Sequence, residues 1–135
     1  MNEIQINIQS SQEARGEKDH MTVTTQGVLR QEGDTSIIEY SDIEGGPEGL
    51  TTIRVQDRTV SMQKLGAIET EFVFEQGKTY ATLYKLPYGD MHVTLLPTLV
   101  HADIGEKSGS IELEYVMSIA GAQLLNRLNL NYAQR

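Results

Sequence analysis

The sequence predicts an all-β protein, folded as a closed or nearly closed antiparallel meander barrel of about 8–10 strands. Apolar residues alternate with polar ones along most segments, which is the period of a strand with one wet face. Turn signals such as EGGPEG, EQGK and PYGD separate these segments at regular spacing. No segment has a convincing helical period. We expect one domain over residues 1–135.

The predicted strands follow one another along the whole chain. The polar stretch QSSQEARGEKDH separates the first two and is predicted to be a long exposed loop. The remaining connections are short enough for hairpins. The predicted strands cover residues 3–9, 20–31, 35–43, 50–57, 58–65, 69–74, 78–86, 88–99, 109–119 and 122–132.

Alternation assigns the side chains of these strands to faces. In GSIELEYVMSI, for example, Glu112 and Glu114 lie opposite the apolar residues, so that one face is buried and the other is wet. The residues predicted to share buried faces are Ile53 with Val55, Val60 with Met62, Phe72 with Phe74, Met91 with Val93 and Leu95, and Ile111 with Leu113, Tyr115, Met117 and Ile119.

The last segment, AGAQLLNRLNLNY, allows a helix or a strand. Leu124, Leu125 and Leu128 fit a helical stripe, but the repeated asparagines are poor helix formers. Alternation instead places Asn126 on one face with Leu124, Leu128 and Leu130. We therefore predict a strand in which Asn126 points inward.

Composition excludes several classes of function. The chain contains no cysteine, so disulfides, thiol catalysis and cysteine-based zinc sites are excluded. The N-terminal residues lack a basic head followed by an apolar run, and no segment approaches bilayer length. We expect a cytoplasmic protein with no membrane partner.

Charge predicts that the protein does not bind nucleic acid. The formal net charge is -8, and the 11 Lys and Arg residues are scattered along the chain. Phosphate backbones are repelled by such a surface. We expect no retention on a DNA or RNA column at physiological salt. Retention that more salt reverses would refute this prediction.

Closing a sheet into a barrel removes its two exposed edges, which a run of short strands must otherwise protect. A two-sheet sandwich is the alternative. A diffuse set of positions, in order and spacing, resembles the YwiB-like bacterial family of unknown function. The positions are Lys64 to Ala67, Gly77, Tyr84, Tyr88, Gly89, Thr98, Gly109 and Tyr115. The resemblance runs from TVTTQGVL to LNLNY, and implies a calycin or lipocalin-like β-barrel without an assigned activity.

The stretch LYKLPYGDMHVTLLPTLVHAD comes nearest to an enzyme site. Asp90 and His92 share the outward face of a strand, and His101 and Asp103 repeat the two-residue spacing. These four side chains would bind a metal only if the strands carrying them met. We interpret them as solvated strand and loop residues, and we predict no catalytic residue and no metal site.

Two loops carry weaker signals. Asp42, Glu44 and Glu48 gather around glycines, but their spacing is not that of a calcium loop, and we predict an acidic hairpin loop. GEKSGS resembles a phosphate loop, but Lys107 is misplaced and a strand follows Gly109. No cofactor is expected.

Polar residues on inward faces carry the functional hypothesis. Asn126 lies among leucines, Lys64 shares a face with Met62, and Thr25 lies between Val23 and Leu29. With Tyr115 they form a candidate lumen site for a small, partly apolar ligand, since small-molecule pockets are apolar with a few polar groups. The alternative is a structural or protein-interaction barrel filled by its own side chains. An enzyme is the third hypothesis, and either a monomer or a homodimer fits the sequence.

Overall fold

A computed structural model describes residues 2–41, 49–66 and 69–135. The prediction of an all-β fold is confirmed, because every regular element in these ranges is a strand and none is a helix. The strands are β1 (Asn2–Ala14), β2 (Glu17–Glu32), β3 (Thr35–Ser41), β4 (Leu50–Gln56), β5 (Thr59–Leu65), β6 (Thr70–Phe74), β7 (Tyr80–Leu86), β8 (Gly89–Ile104), β9 (Ser108–Ile119) and β10 (Ala122–Gln134).

All ten strands belong to one antiparallel sheet in the order β6-β5-β4-β3-β2-β1-β10-β9-β8-β7. The end strands β6 and β7 face each other across one seam, where a single bridge joins them. In that bridge the Glu69 and Lys85 backbones exchange N–H···O bonds of 3.1 and 2.9 Å. The predicted meander barrel is therefore confirmed as a nearly closed barrel with one unsealed seam.

The prediction of a long loop between the first two strands is wrong. β1 continues to Ala14 and β2 begins at Glu17, so the polar stretch forms the end of a long hairpin. Arg15 and Gly16 make the turn with φ of 52° and 81°, which suits a two-residue hairpin loop. The apolar alternation stops here because the inward positions Ser10 and Gln12 face an open cavity.

The strand predicted at 88–99 is too short, because β8 runs on to Ile104. Its pairing with β9 shifts register between Pro97 and Leu99, and the Thr98 hydroxyl there donates to the Glu114 carbonyl at 3.1 Å. A bulge of this kind adds one residue and reverses the alternation. Val100 consequently packs against the core, although extending the alternation of Val93 would turn it outward.

The core fills most of the lumen. Its buried apolar residues come from both sides of the barrel: Ile4, Ile6, Ile8, Leu29, Ile38, Tyr40, Ile53, Val55, Val60, Met62, Phe72, Phe74, Val93, Leu95, Ile111, Leu113, Tyr115, Met117, Leu130 and Tyr132. Tyr132 lies near one end, where its hydroxyl donates to the Gly105 carbonyl at 2.6 Å. Burial raises the pKa of the Tyr132 phenol. The opposite end is left open, and we call it the mouth.

A ligand cavity at the barrel mouth

The mouth holds a cavity of about 350 Å³, which we call the mouth cavity. It lies at the barrel end formed by the β1–β2, β7–β8 and β9–β10 turns. This volume is at the lower end of the range for small-molecule sites. Seven strands supply its lining: Ser10, Ser11, Gln12, Asp19, His20, Met21, Met62, Lys64, Phe72, Tyr84, Tyr115, Met117, Asn126, Arg127 and Leu128.

The structure brings three of the four predicted site residues together in this cavity. Lys64, Tyr115 and Asn126 come from β5, β9 and β10, and all three line it. Thr25 does not line it. Thr25 lies further along β2, opposite Ile6 of β1, and is half-buried there. Sequence analysis did not identify Gln12 and Tyr84 as site residues. Gln12 could have been identified, because it continues the inward alternation of Ile4, Ile6 and Ile8.

Asn126 is buried and held in a fixed orientation. Its side-chain oxygen accepts a hydrogen bond of 3.1 Å from the Gln12 amide, directly across the β1–β10 pair. Its own amide donates to the Leu124 carbonyl at 3.3 Å. An asparagine amide has two N–H donors, so a second N–H of Asn126 can meet a ligand.

Aromatic rings form the apolar wall of the mouth cavity. Phe72 of β6 contacts Tyr84 of β7 at a ring-centroid distance of 5.6 Å, which joins the two strands across the seam. Phe74 lies deeper, is fully buried and contacts Tyr115 at 4.9 Å. Such offset contacts stabilise by about 0.5–1.5 kcal/mol beyond the area buried. Met62 and Met117 supply adaptable apolar surface beside these rings.

Exposed apolar side chains cluster at the same end of the barrel. Met21 is 48% exposed, Leu65 40% and Tyr88 84%. Met21 lines the mouth cavity, Leu65 ends β5 beside Lys64, and Tyr88 lies in the β7–β8 turn. Of the large apolar residues with this exposure in the described part of the chain, Leu96 is the exception to this clustering. Apolar surface concentrated around one opening is typical of a binding site.

A second cavity, of about 390 Å³, lies in the seam between β6 and β7. The strands separate below the Glu69–Lys85 bridge, and the Thr70 hydroxyl donates to the Leu83 carbonyl at 3.3 Å in place of a backbone bond. We call this opening the seam cavity. Its lining residues are Gln63, Lys64, Leu65, Glu69, Thr70, Glu71, Thr82, Leu83 and Lys85.

The histidines that suggested an enzyme are exposed on the outside of the barrel. His92 and His101 both lie on β8, nine residues apart, which is roughly 30 Å of strand. His101 pairs across the sheet with Glu112, and Asp103 pairs with Ser110. Among residues 2–41, 49–66 and 69–135, no three His, Asp or Glu side chains converge as a metal site.

Two sequence features fall partly or wholly outside the described residues. They are the predicted acidic loop with Asp42, Glu44 and Glu48, and Ala67 of the family pattern. The GEKSGS segment is a turn into β9, where the Gly105 amide donates to the Ser108 carbonyl at 3.1 Å. Within the described ranges, no helix is long and apolar enough to cross a bilayer.

Strand order and cavity together define the class of protein: an up-and-down antiparallel β-barrel with a packed core and a mixed-polarity cavity at its mouth. The chain belongs to the family described as "Domain of unknown function (DUF1934)", whose model matches residues 6–131.

A solved structure supports the same fold. The chain is similar to the ywiB protein from Bacillus subtilis, with a TM-score of 0.90 and 18% sequence identity, over 99% of this chain and 92% of that chain. The predicted resemblance to a YwiB-like family is therefore confirmed. No curated protein matches the chain.

Proposed function

We propose that this protein is a non-enzymatic binding barrel that takes a small, partly apolar molecule into the mouth cavity. The single observation that carries the proposal is the convergence of Lys64, Tyr115 and Asn126 in a cavity of about 350 Å³. Met62, Met117 and Leu128 line the same space, so the wall combines polar groups with apolar side chains. Sites of this composition hold a ligand by burial and orient it with the polar groups.

The arrangement of polar groups supports binding better than catalysis. A general acid or base needs a partner that orients it or shifts its pKa. His92 and His101 are exposed and lie outside the barrel, and Asp19 and His20, which line the mouth cavity, are exposed as well. Asn126 does not titrate, and its bonds to Gln12 and the Leu124 carbonyl make it a fixed recognition group.

Calycin-like barrels bind ligands inside the barrel, and the proposal assigns this chain the same mode of binding. The expected cytoplasmic location and monomeric or homodimeric state remain predictions. The alternative, a structural or protein-interaction barrel without a ligand, differs in one respect that can be measured. It predicts no saturable uptake of a small apolar molecule at the mouth.

The test uses Ser10→Phe, which fills the mouth cavity. Ser10 lies on the inward face of β1, opposite Met21 on one side and Leu128 on the other. We expect the wild type to bind the neutral fluorescent probe N-phenylnaphthylamine saturably. Ser10→Phe is expected to raise the dissociation constant of the probe about tenfold or more, because the phenylalanine ring occupies the space that the probe would fill.

Gln9→Phe is the matched control, because Gln9 is exposed on the outer face of the same strand. It adds the same apolar ring and should leave probe binding within about twofold of wild type. Absence of saturable binding to the wild type would reject the binding barrel. Equal binding by wild type and Ser10→Phe would place the probe outside the mouth cavity and reject the proposed site.

A further inference from the structure

Lys64 lines both the mouth cavity and the seam cavity. Its side chain is half-buried near the end of β5, between Thr51 of β4 and Thr70 of β6. Lys64 is the residue that the two linings share. Lys64 is also the one Lys or Arg that strand alternation turns inward within the described strands.

We propose that the ligand of the mouth cavity is an amphiphilic carboxylate, with its anionic group at Lys64 and its apolar body along the mouth wall. This inference rests on the proposed function and adds the ligand's chemical class. The apolar body would contact Met62, Phe72 and Met117. The carboxylate would take a charge-assisted hydrogen bond from the Lys64 ammonium group.

The seam makes this position suitable for a charge. A buried ion pair is costly when both groups lose their water. Lys64 also borders the seam cavity, which the exposed Glu69 and Glu71 line, so a carboxylate there keeps part of its hydration. The aliphatic body, in contrast, can follow the mouth cavity away from the seam. Polar and apolar ends of one molecule thus find separate surroundings.

The acidic residues around the openings disfavour a doubly charged anion more than a singly charged one. Asp19 lines the mouth, and Glu69 and Glu71 line the seam; all three are exposed. Water and salt screen the repulsion between these exposed carboxylates and an anionic ligand. The half-buried Lys64 attracts the same anion at short range, where screening is weaker. A phosphate with two charges would be repelled more strongly by these three carboxylates than a carboxylate would. Lys85, the other lysine of the seam, is exposed on the outer face of β7.

The experiment compares octanoate with octanol as competitors of N-phenylnaphthylamine. The two molecules share an aliphatic chain, and the alcohol leaves water for an apolar site more readily than the carboxylate does. A preference for octanoate therefore requires a cation or strong hydrogen-bond donors at the site, and the Lys64 variants distinguish the two. We expect wild type to bind octanoate more tightly than octanol. This comparison needs no variant, so it is independent of any effect of mutation on folding.

Three variants locate the cation. Lys64→Met is expected to weaken octanoate binding about tenfold and leave octanol binding unchanged, because it removes the charge and keeps the chain volume. Lys64→Arg keeps the charge and should retain the preference for octanoate. Lys107→Met changes the net charge equally at an exposed residue that lines neither cavity, and should keep wild-type affinity for both competitors.

The outcomes separate this inference from the proposed function. If the probe binds and Ser10→Phe blocks it, but octanoate and octanol compete equally, the binding barrel stands and the carboxylate ligand is rejected. Equal loss of octanoate binding in Lys64→Met and Lys107→Met would also reject it, because the effect would then be general electrostatics. If the probe does not bind wild type, the proposed function itself fails.

Discussion

Phe74→Ala is expected to lower the free energy of unfolding by about 3–5 kcal/mol, the range for deleting a buried aromatic side chain. Phe74 is fully buried at the end of β6, where it pairs with Val60 of β5. Its ring contacts Phe72 edge-on at 6.0 Å and Tyr115 at 4.9 Å. The variant leaves a void between the Phe72 and Tyr115 rings, because backbone hydrogen bonds hold β6 to β5 and β9 to both its neighbours, so the strands close the gap only in part. Urea denaturation measures the loss.

Phe74→Leu is the matched control for this variant. It keeps an apolar side chain in the same position, so we expect it to lose less than half as much stability as Phe74→Ala. A domain whose stability exceeds about 5 kcal/mol, the lower end of the ordinary range, remains folded after either change. Equal stability of wild type and Phe74→Ala would show that the lumen is not packed around this ring.

Gly27→Ala is expected to destabilise the protein by about 1–3 kcal/mol, the usual cost of forcing extra volume into a packed site. A Cβ at Gly27 would contact the Glu39 carbonyl oxygen and approach the Ile6 Cδ1 atom to 2.8 Å. The Ile6 atom can move by a rotamer change, but the Glu39 oxygen is main chain in the β2–β3 pair. Close packing of backbone, not a positive φ, is therefore what requires glycine here.

Thr24→Ala provides the comparison for Gly27→Ala. Thr24 is exposed on the outer face of β2, so its loss of strand propensity should cost less than about 1 kcal/mol. Thermal melts of both variants against wild type measure the difference. A Gly27→Ala protein as stable as Thr24→Ala would contradict the close approach of β2 and β3.

Most of the fold follows from local alternation, which is why β3, β4, β5 and β9 lie within about two residues of their predicted ranges. The predicted ends of β1 and β8 are wrong because, at those points, apolar residues no longer alternate in step with the inward face. At Ser10 and Gln12 the inward face meets a wet cavity, so inward residues become polar and the strand looks like a loop. At Thr98 a bulge reverses the alternation, so β8 appears to end at its midpoint.

The candidate site could be predicted only in part. Alternation turns Lys64, Tyr115 and Asn126 inward, and the structure adds that they lie at the same height in the barrel. That height depends on register: Asn126 pairs with Tyr115 in β9 and with Gln12 in β1. Register is set by turns and bulges across the whole sheet, which single-strand patterns do not contain. The seam was beyond prediction for the same reason, because it depends on where the meander closes.

Methionine-methyl NMR during titration with octanoate shows directly whether a ligand binds in the mouth cavity. Met62 and Met117 line the mouth cavity, while Met91 lies on β8 and does not. We expect saturable shifts of the Met62 and Met117 methyl signals, with one shared dissociation constant and a smaller change at Met91. Saturable shifts at Met91 with none at Met62 and Met117, or no saturable shift at any methionine, would contradict a binding site at the barrel mouth.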